Sequence, residues 1–441
     1  MNSMNCREMA RQIFLAGVKG VLPGRIIGNL ISIRGSLLKI GYLSYDLGKI
    51  RNIYVLGAGK ASAALGHYME NILGNRITDG FIVTKYGCFC KLKNIKVIEA
   101  GHPVSDSNSF KATQEIVRIA EKAGEEDLVI CLWSGGGSSL LADYPDNSSH
   151  EDIAYLNEIL INCGANIREI NAIRKHLSKI KGGQLARHIW PAATVNILLS
   201  DVIGDPPDII VSGPTVPDNS NFADTLKIIE EHQLNDEIPF RLLNYLHEGS
   251  QGNQPETPKP DDIVFSKSNT LLAGSNKTAL QAAREEAENL NLTTFIVTSE
   301  LSGDISHVSS SIIETIHNYR NNTSLKKPVC LLFGGETTVR VTGNGLGGRN
   351  QHLALTVATL IRDIPGITFL SAGTDGNDGD TEIAGAVVDS GTFQNALSLG
   401  TDPDKYLTTF DSYHFFKSAG GHIYTGPTFT NVMDLAVVII E

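Results

Sequence analysis

Apolar positions along this chain fall into two kinds of pattern. Short continuous apolar runs at 52–56, 80–84, 95–99, 127–132 and 194–199 read as buried strands. Between them, apolar residues recur every three to four positions, which predicts helices over 60–73, 108–123, 151–163 and 166–187, with a further helix starting after the SGGGSS turn. Residues 7–48 also carry the helical spacing, broken at Pro23 and Gly28. The stretch 249–262 (GSQGNQPETPKPDD) has no apolar period and reads as a linker or surface loop. Alternation then resumes. A helix is predicted over 275–289, strands over 293–298 and 329–333, a hairpin-like turn at Gly334–Gly335 and a strand over 337–342. A helix over 350–362, a strand over 367–371 and a buried terminal strand at Val437–Ile440 complete the second half. Strands alternating with helices specify an α/β protein whose sheets are largely parallel. A chain of 441 residues exceeds one ordinary core, so two domains are expected, over 1–250 and 262–441.

Composition narrows the function. The chain is 41% hydrophobic and 19% charged, as in soluble globular proteins, and its net charge of -11 argues against broad nucleic-acid binding. No run reaches the ~18 apolar residues of a membrane helix, and MNSMNCREMARQ lacks the apolar core of a signal peptide. Among the six cysteines, Cys131 and Cys330 lie in apolar runs as reduced core residues, and Cys88 and Cys90 lack a second ligand pair at metal spacing. A cytoplasmic protein without nucleic-acid or membrane partners is the expectation.

The candidate chemistry sits where glycine clusters follow a strand. Gly57-Ala58-Gly59-Lys60 places a lysine at a helix start, where the dipole disfavours it unless a ligand needs the cation. A dinucleotide fingerprint is incomplete, because Ser62 replaces the third glycine and Asp79 precedes its strand rather than ending it. Ser134, Gly135, Gly136, Gly137, Ser138 and Ser139 follow an apolar strand and read as a phosphate cradle. The run at 171–187 offers Arg174, Lys179 and Lys181 to an anion, whereas His176 reads as a packing histidine. Asp201, Asp205 and Asp208 follow strand 194–199, a position suited to Mg²⁺, although one of the three is expected merely to cap or turn. In the second half, Gly335, Glu336 and Thr337 form one candidate turn. The loop Gly343–Asn350 delivers Arg349 to a helix start, and Asp375 opens an acidic loop.

These segments together resemble the class II glycerate kinases, the family with a carboxy-terminal MOFRL domain. The matching stretches span roughly residues 7 to 437: GAGKAS, GHPVSD (101–106), SGGGSSLL, NAIRKHLSKIKGG, LLSDVIGDPPDIIVSGPT, GGETTVRVTGNGLGGRNQ, SAGTDGNDGDTEIAGAVVD and TGPTFTNVMDL (425–435). The resemblance implies a Rossmann-like amino-terminal domain, a mixed α/β domain with its MOFRL region at about 327–437, and an active site in the cleft between domains. It implies ATP- and Mg²⁺-dependent phosphorylation of D-glycerate, or a related hydroxy acid, to 2-phosphoglycerate by a monomer or homodimer. It likens Lys60 to the family's essential lysine, Arg349 to its cleft arginine and Asp201 to the aspartate of its SDV-GD segment. The chain departs from the family pattern at Cys88, Ser105, His352, Asp380 and Phe429, where the family has His, Pro, Glu, Pro and Gly.

On this reading Lys60, Arg349 and Asp201 are catalytic. The 134–139 loop, with Lys181, Gly335, Glu336 and Thr337, holds nucleotide phosphates. Arg174, Asn350 and Asp375 hold the acid, and Asp201 and Asp205 hold the metal. A nicotinamide-dependent hydroxypyruvate reductase, resting on GAGKAS, and a non-catalytic nucleotide or sugar-acid binding protein are the alternatives.

Overall fold

The computed structural model describes residues 5–441 as two compact units, one over Ile26–Ala273 and one formed by residues 5–25 with Gly274–Glu441. The sequence places its break at 249–262. In the structure that stretch packs as a surface loop of the first unit, with Thr257 buried and bonded to Asp218 at 3.1 Å.

The first unit opens with a small antiparallel sheet, β1 (Ile31–Arg34), β2 (Leu37–Ile40) and β3 (Leu43–Asp46). Helix was expected throughout this region. The structure keeps helices Cys6–Gly20 and Pro23–Leu30, and then alternation of period two, with Gly35 and Gly41 turning at positive φ, folds the chain into hairpins. The principal sheet follows as β4 (Ile53–Ala58), β5 (Ile77–Lys85), β6 (Lys96–Ala100), β7 (Leu128–Ser134), β8 (Ala193–Leu199) and β9 (Ser268–Gly274). Its spatial order is β6-β5-β4-β7-β8-β9, and every pairing from β6 to β8 is parallel. Strands β4 and β7 are buried along their whole length, as their unbroken apolar runs require. Helix Ser107–Ala120 covers the sheet with Ala112, Ile116 and Ile119, against Leu56, Val83 and Trp133. Each of the two isoleucines taken from water contributes roughly 1.5–3 kcal/mol. The helix expected over 166–187 is two helices, Ile167–His176 and Gln184–Ile189, because Gly182 and Gly183 turn at φ 58° and 83°.

The second unit is built on β10 (Thr293–Asp304), β11 (Val329–Thr338), β12 (Ile367–Gly373), β13 (Gly385–Asp389), β14 (His422–Ile423) and β15 (Asp434–Ile440). The order is β10-β11-β15-β12-β13-β14; only β10 and β11 run parallel, so the sheet is mixed. The hairpin expected at Gly334–Gly335 is absent. Strand β11 runs straight through, because Gly335, at φ 142°, lets the backbone of Leu301 lie against it. The amino-terminal helix Cys6–Gly20 packs here on helix Asn276–Asn289. Gly17 and Gly20 meet Ala279, Ala282 and Ala283, so the two helices approach closely. Among the described residues no single helix is long and apolar enough to cross a membrane, and all six cysteines are free.

Candidate active site

In the first unit the chain leaves β4 toward β5 and β6, and leaves β7 toward β8 and β9 on the other side. Ligands of open α/β sheets bind at the carboxyl ends of the strands where the order reverses in this way. Both glycine-rich turns of the amino-terminal half sit there. The first carries Lys60, whose N–H donates to the Gly135 carbonyl at 2.9 Å. The Ala61 N–H donates to Ser134 Oγ at 3.0 Å, and Ser62 Oγ donates to the Leu132 carbonyl at 2.9 Å while lying 3.0 Å from Ser134 Oγ. Ser134 was expected to touch phosphate. Instead it is buried and clips the two turns together, which fixes the backbone from which Lys60 projects.

The second turn is bare backbone with side chains pressed onto it. A Cβ on Gly135 would fall 1.7 Å from Asp201 Oδ2. Gly136 turns at φ 79°, and a Cβ there would fall 2.7 Å from His102 Nε2 and 3.4 Å from Lys60 Cγ. Ser138 Oγ is 2.7 Å from Ser212 Oγ, which donates to Asn171 Oδ1 at 3.2 Å; Ser139 Oγ donates to the Gly136 carbonyl at 3.1 Å. Ser212 belongs to a run, Val211 to Gly213, with φ of 56°, 57° and 59°. A β-branched residue in the left-handed region is strained. Here it sets the seryl relay beneath the loop.

A cavity of about 710 Å³ opens beside this loop, lined by His102, Ser138, Ser139, Arg174 and Lys181 and by apolar Phe110 and Ile153. Arg174 Nε donates to Asn157 Oδ1 at 2.8 Å, and burial lowers its pKa. Lys181 is buried, donates to the Leu141 carbonyl and lies 3.9 Å from Asp143; burial lowers its pKa, opposed by that carboxylate. Asp143 itself accepts from Ser178 Oγ at 2.7 Å and from the Lys179 N–H at 2.5 Å. The basic run therefore divides. Arg174 and Lys181 reach the cavity, Lys179 turns outward to Asp146, and Lys175 is buried between Asp208 and Asp218 at 3.2 and 3.3 Å. His176 packs as expected, held by the Ala172 carbonyl and Glu256, whose carboxyl falls to about 2 because the His176 hydrogen bond and charge outweigh the burial that raises it.

His102 was missed as a site residue. It lies in GHPVSD, a stretch with no periodic signal, and reaches the loop from the chain segment after β6. Burial first, then the charges of Lys60 and Lys85, hold its pKa down at about 4.

The second unit assembles its candidates separately. Arg349 pairs with Asp434 through Nε and Nη2 at 2.6 and 3.0 Å and with Glu336 through Nη1 at 2.6 Å. These partners outweigh burial and push its pKa up. Asn350, expected at the substrate, is buried instead: its N–H donates to Asp378 at 2.9 Å and its Oδ1 accepts from Ser371 Oγ at 2.6 Å. Asp378 thus caps helix Arg349–Leu360, also accepting from the Gln351 N–H at 2.8 Å, and burial raises its pKa to about 6. Asp375 Oδ1 accepts from the Asn377 N–H at 3.1 Å, a local turn. Gly335 and Thr337 lie within β11, with Thr337 buried. His352 stacks on Phe410 at 4.2 Å and 4°, and burial brings its pKa down to about 4. Phe429 stands at φ 58°, which explains why glycine suits that turn.

No group of three or more His, Cys, Asp or Glu side chains among the described residues forms a metal cluster. The donor set suits Mg²⁺, which takes one or two carboxylates and fills its shell with water and phosphate oxygens. Asp201, against the loop at Gly135, fits that pattern. Asp205 sits in a turn at φ 55° with its N–H on the Val202 carbonyl.

Residues 9–247 match a family model described as a domain of unknown function (DUF4147), and residues 329–434 match the MOFRL family. The chain is 35% identical to the D-glycerate 2-kinase of Thermotoga maritima, over 98% of each chain. It is 36% identical to the glycerate 2-kinase of Pyrococcus horikoshii, over 100% of this chain and 98% of the relative. A crystal structure of glycerate kinase from T. maritima superposes with a TM-score of 0.87 at 35% identity, covering 99% of both chains. Sheet order, glycine turns and full-length likeness agree: the chain belongs to the glycerate 2-kinase family, with its DUF4147 and MOFRL regions.

Proposed function

We propose that this protein is a kinase that transfers the γ-phosphoryl group of ATP to the 2-hydroxyl of D-glycerate. The observation that carries the reading is the convergence of the Lys60 turn, the Gly135–Ser139 loop and Asp201 at the strand-order reversal between β4 and β7. Phosphoryl transfer needs positioning and charge neutralisation more than covalent chemistry. The loop backbone receives the polyphosphate, which bulky side chains would keep away. Lys60, projecting from a clasped turn, neutralises the moving phosphoryl group. Asp201 would hold a Mg²⁺ ion, with Asp205 as the other candidate ligand, and the ion would supply neutralisation of phosphate charge. Arg174 reaches the cavity as a guanidinium suited to the substrate carboxylate.

In the mixed-sheet unit, Arg349 uses three of its five N–H groups on Asp434 and Glu336. It supports carboxylate or developing charge through the remaining donors. Asp375 offers one carboxylate to a substrate hydroxyl.

The test is coupled ADP release with MgATP over a panel of small hydroxy acids, followed by phosphorus NMR of the product. D-Glycerate-dependent ADP release with phosphate on carbon 2 supports the reading. Oxidation of NADH or NADPH by hydroxypyruvate without ADP release overturns it in favour of a reductase. Tight binding of nucleotide without turnover overturns it in favour of a binding protein.

A further inference from the structure

Transfer to a hydroxyl leaves a proton to be placed, and the cavity is lined by His102, Asp143, His150 and Glu158, the last of them exposed to solvent. Asp143 is committed to the Ser178 hydroxyl and the Lys179 amide. Asp201 lies against Gly135, where its carboxylate would serve a bound Mg²⁺ ion. Resting on the kinase reading above, we propose that His102 is the general base, taking the hydroxyl proton on Nε2 as the phosphoryl group arrives. In that step the bond from substrate oxygen to Pγ forms and the bond from Pγ to the β-phosphate oxygen breaks. The hydroxyl proton passes to the imidazole, and ADP leaves with the released electron pair.

Three observations place the ring. The Nε2 edge lies against Gly136, within the loop assigned to phosphate. The same side chain lines the cavity together with Ser138, Ser139 and Arg174. The ring also hydrogen-bonds its own backbone, and with Nδ1 as the nitrogen that donates, the Nε2 lone pair is free to accept.

The charges around the ring explain when it becomes a base. Lys60 and Lys85 oppose an imidazolium, and with burial they keep His102 neutral in the free enzyme. Cys88 lies near both lysines; Asp106, on the ring's own segment, is occupied by Tyr86 at 2.7 Å. Asp143, His150, Glu158, Arg174 and Lys181 also line the cavity, and Asp201 lies against Gly135. Arrival of a polyphosphate beside Lys60 offsets the cation that opposed protonation. The imidazole then moves back toward its ordinary range, where proton transfer is most effective near neutral pH. The base is thus switched on by the nucleotide, and water finds no strong base in its absence.

The experiment is steady-state phosphorylation of D-glycerate by the full chain from pH 5 to 9, for the wild type, His102→Gln and His102→Ala. The expected kcat loss is about 10²- to 10⁴-fold, with KM for ATP changed by no more than about threefold. The acid limb of the wild-type kcat profile is expected to disappear in His102→Gln, and added imidazole is expected to restore part of the His102→Ala rate. Wild-type kcat and acid limb in His102→Gln would overturn the proposal while leaving the kinase reading intact. A wild-type enzyme that releases no ADP with D-glycerate would end the kinase reading itself. Should both variants unfold, the wild-type profile decides: a kcat that is flat from pH 5 to 7 excludes an imidazole base.

Discussion

The two glycine-rich loops, Ser134–Ser139 and Gly343–Asn350, look alike in sequence. Each combines small residues with a charged neighbour and leads into a helix. In the first, glycine leaves room for Asp201, His102 and Lys60, and a cavity opens beside them. In the second, Gly348 leaves room for Asp378, whose carboxylate caps the helix, while Arg349 closes on Asp434 and Glu336. Glycine clusters mark close approach in both. What approaches separates them: side chains arranged around an open space in one loop, mutually satisfied charges in the other.

Lys60→Met gives the largest expected effect on this contrast. Its side chain stands at the cavity loop and its turn is held by backbone bonds that the substitution leaves in place. On the order of a 10²-fold loss or more in kcat is expected, with the melting temperature unchanged. Near-normal turnover would remove Lys60 from the reaction. Arg349→Met tests the other loop. It strands Asp434, which is buried, beside Glu336. Breaking a paired charge of this kind costs about 3–5 kcal/mol when burial is deep, and less here because a third of the arginine side chain is exposed. A fall of several degrees in the melting temperature is expected to accompany any loss of activity. A variant that loses activity with no change in melting would show that the clasp is not structural.

The contrast also separates what was legible from what was not. The strand–turn–helix signals at 52–62 and 127–139 are local, and both turns do follow strands in the structure, β4 and β7. The strand-order reversal is set by tertiary packing and shows only in the folded sheet. Other features depend on residues far apart in the chain. His102 meets Gly136 across 34 positions, and no periodicity announces it. Helix Cys6–Gly20 joins a unit whose remaining residues begin at 274, because Gly17 and Gly20 match small residues of helix Asn276–Asn289. The turn expected at Gly334–Gly335 was a sound local reading overridden by pairing on both sides of β11. Asn350, Gly335 and Thr337 share sequence segments with polar or charged neighbours yet lie in the interior, which no local signal reveals.

Acid titration sharpens the comparison. His102 and His352 are each held at about 4 against an unfolded value near 6.5. Their stabilising contribution is present above about pH 6.5 and is lost as pH falls toward 4, because the unfolded chain then binds the extra protons. Burial also lowers His422, in the mixed-sheet unit. Asp378 works in the opposite direction. Its folded value of about 6 exceeds the unfolded one, so its contribution is full at low pH and is lost as pH rises through 6. Between pH 6.5 and 4.5 the parallel-sheet unit is therefore expected to lose protection steadily, while Asp378 offsets part of the loss around β12. Hydrogen exchange of β7 and β12 peptides across this window measures it. Asp378→Asn should make the β12 loss steeper, and an unchanged slope would remove the carboxyl from this account.

The smallest expected effect concerns two strained residues. Val211 and Phe429 both hold positive φ, at 56° and 58°, and each pays a similar backbone cost of about 1–2 kcal/mol. Their surroundings differ. Val211 is buried, and its methyl groups lie within 2.6 Å of where a Cβ on Gly137 would fall, so its side chain props the Ser134–Ser139 loop. Phe429 is 44% exposed in a turn of the mixed-sheet unit. Phe429→Gly should therefore relieve strain with little packing lost, raising the melting temperature by about 2–4 °C with kcat unchanged. Val211→Gly relieves the same strain but withdraws the prop, so it should lower kcat with little gain in stability. If the two variants behave alike in both melting and turnover, backbone strain at 211 has no part in shaping the loop, and the seryl relay beneath it is ordinary packing.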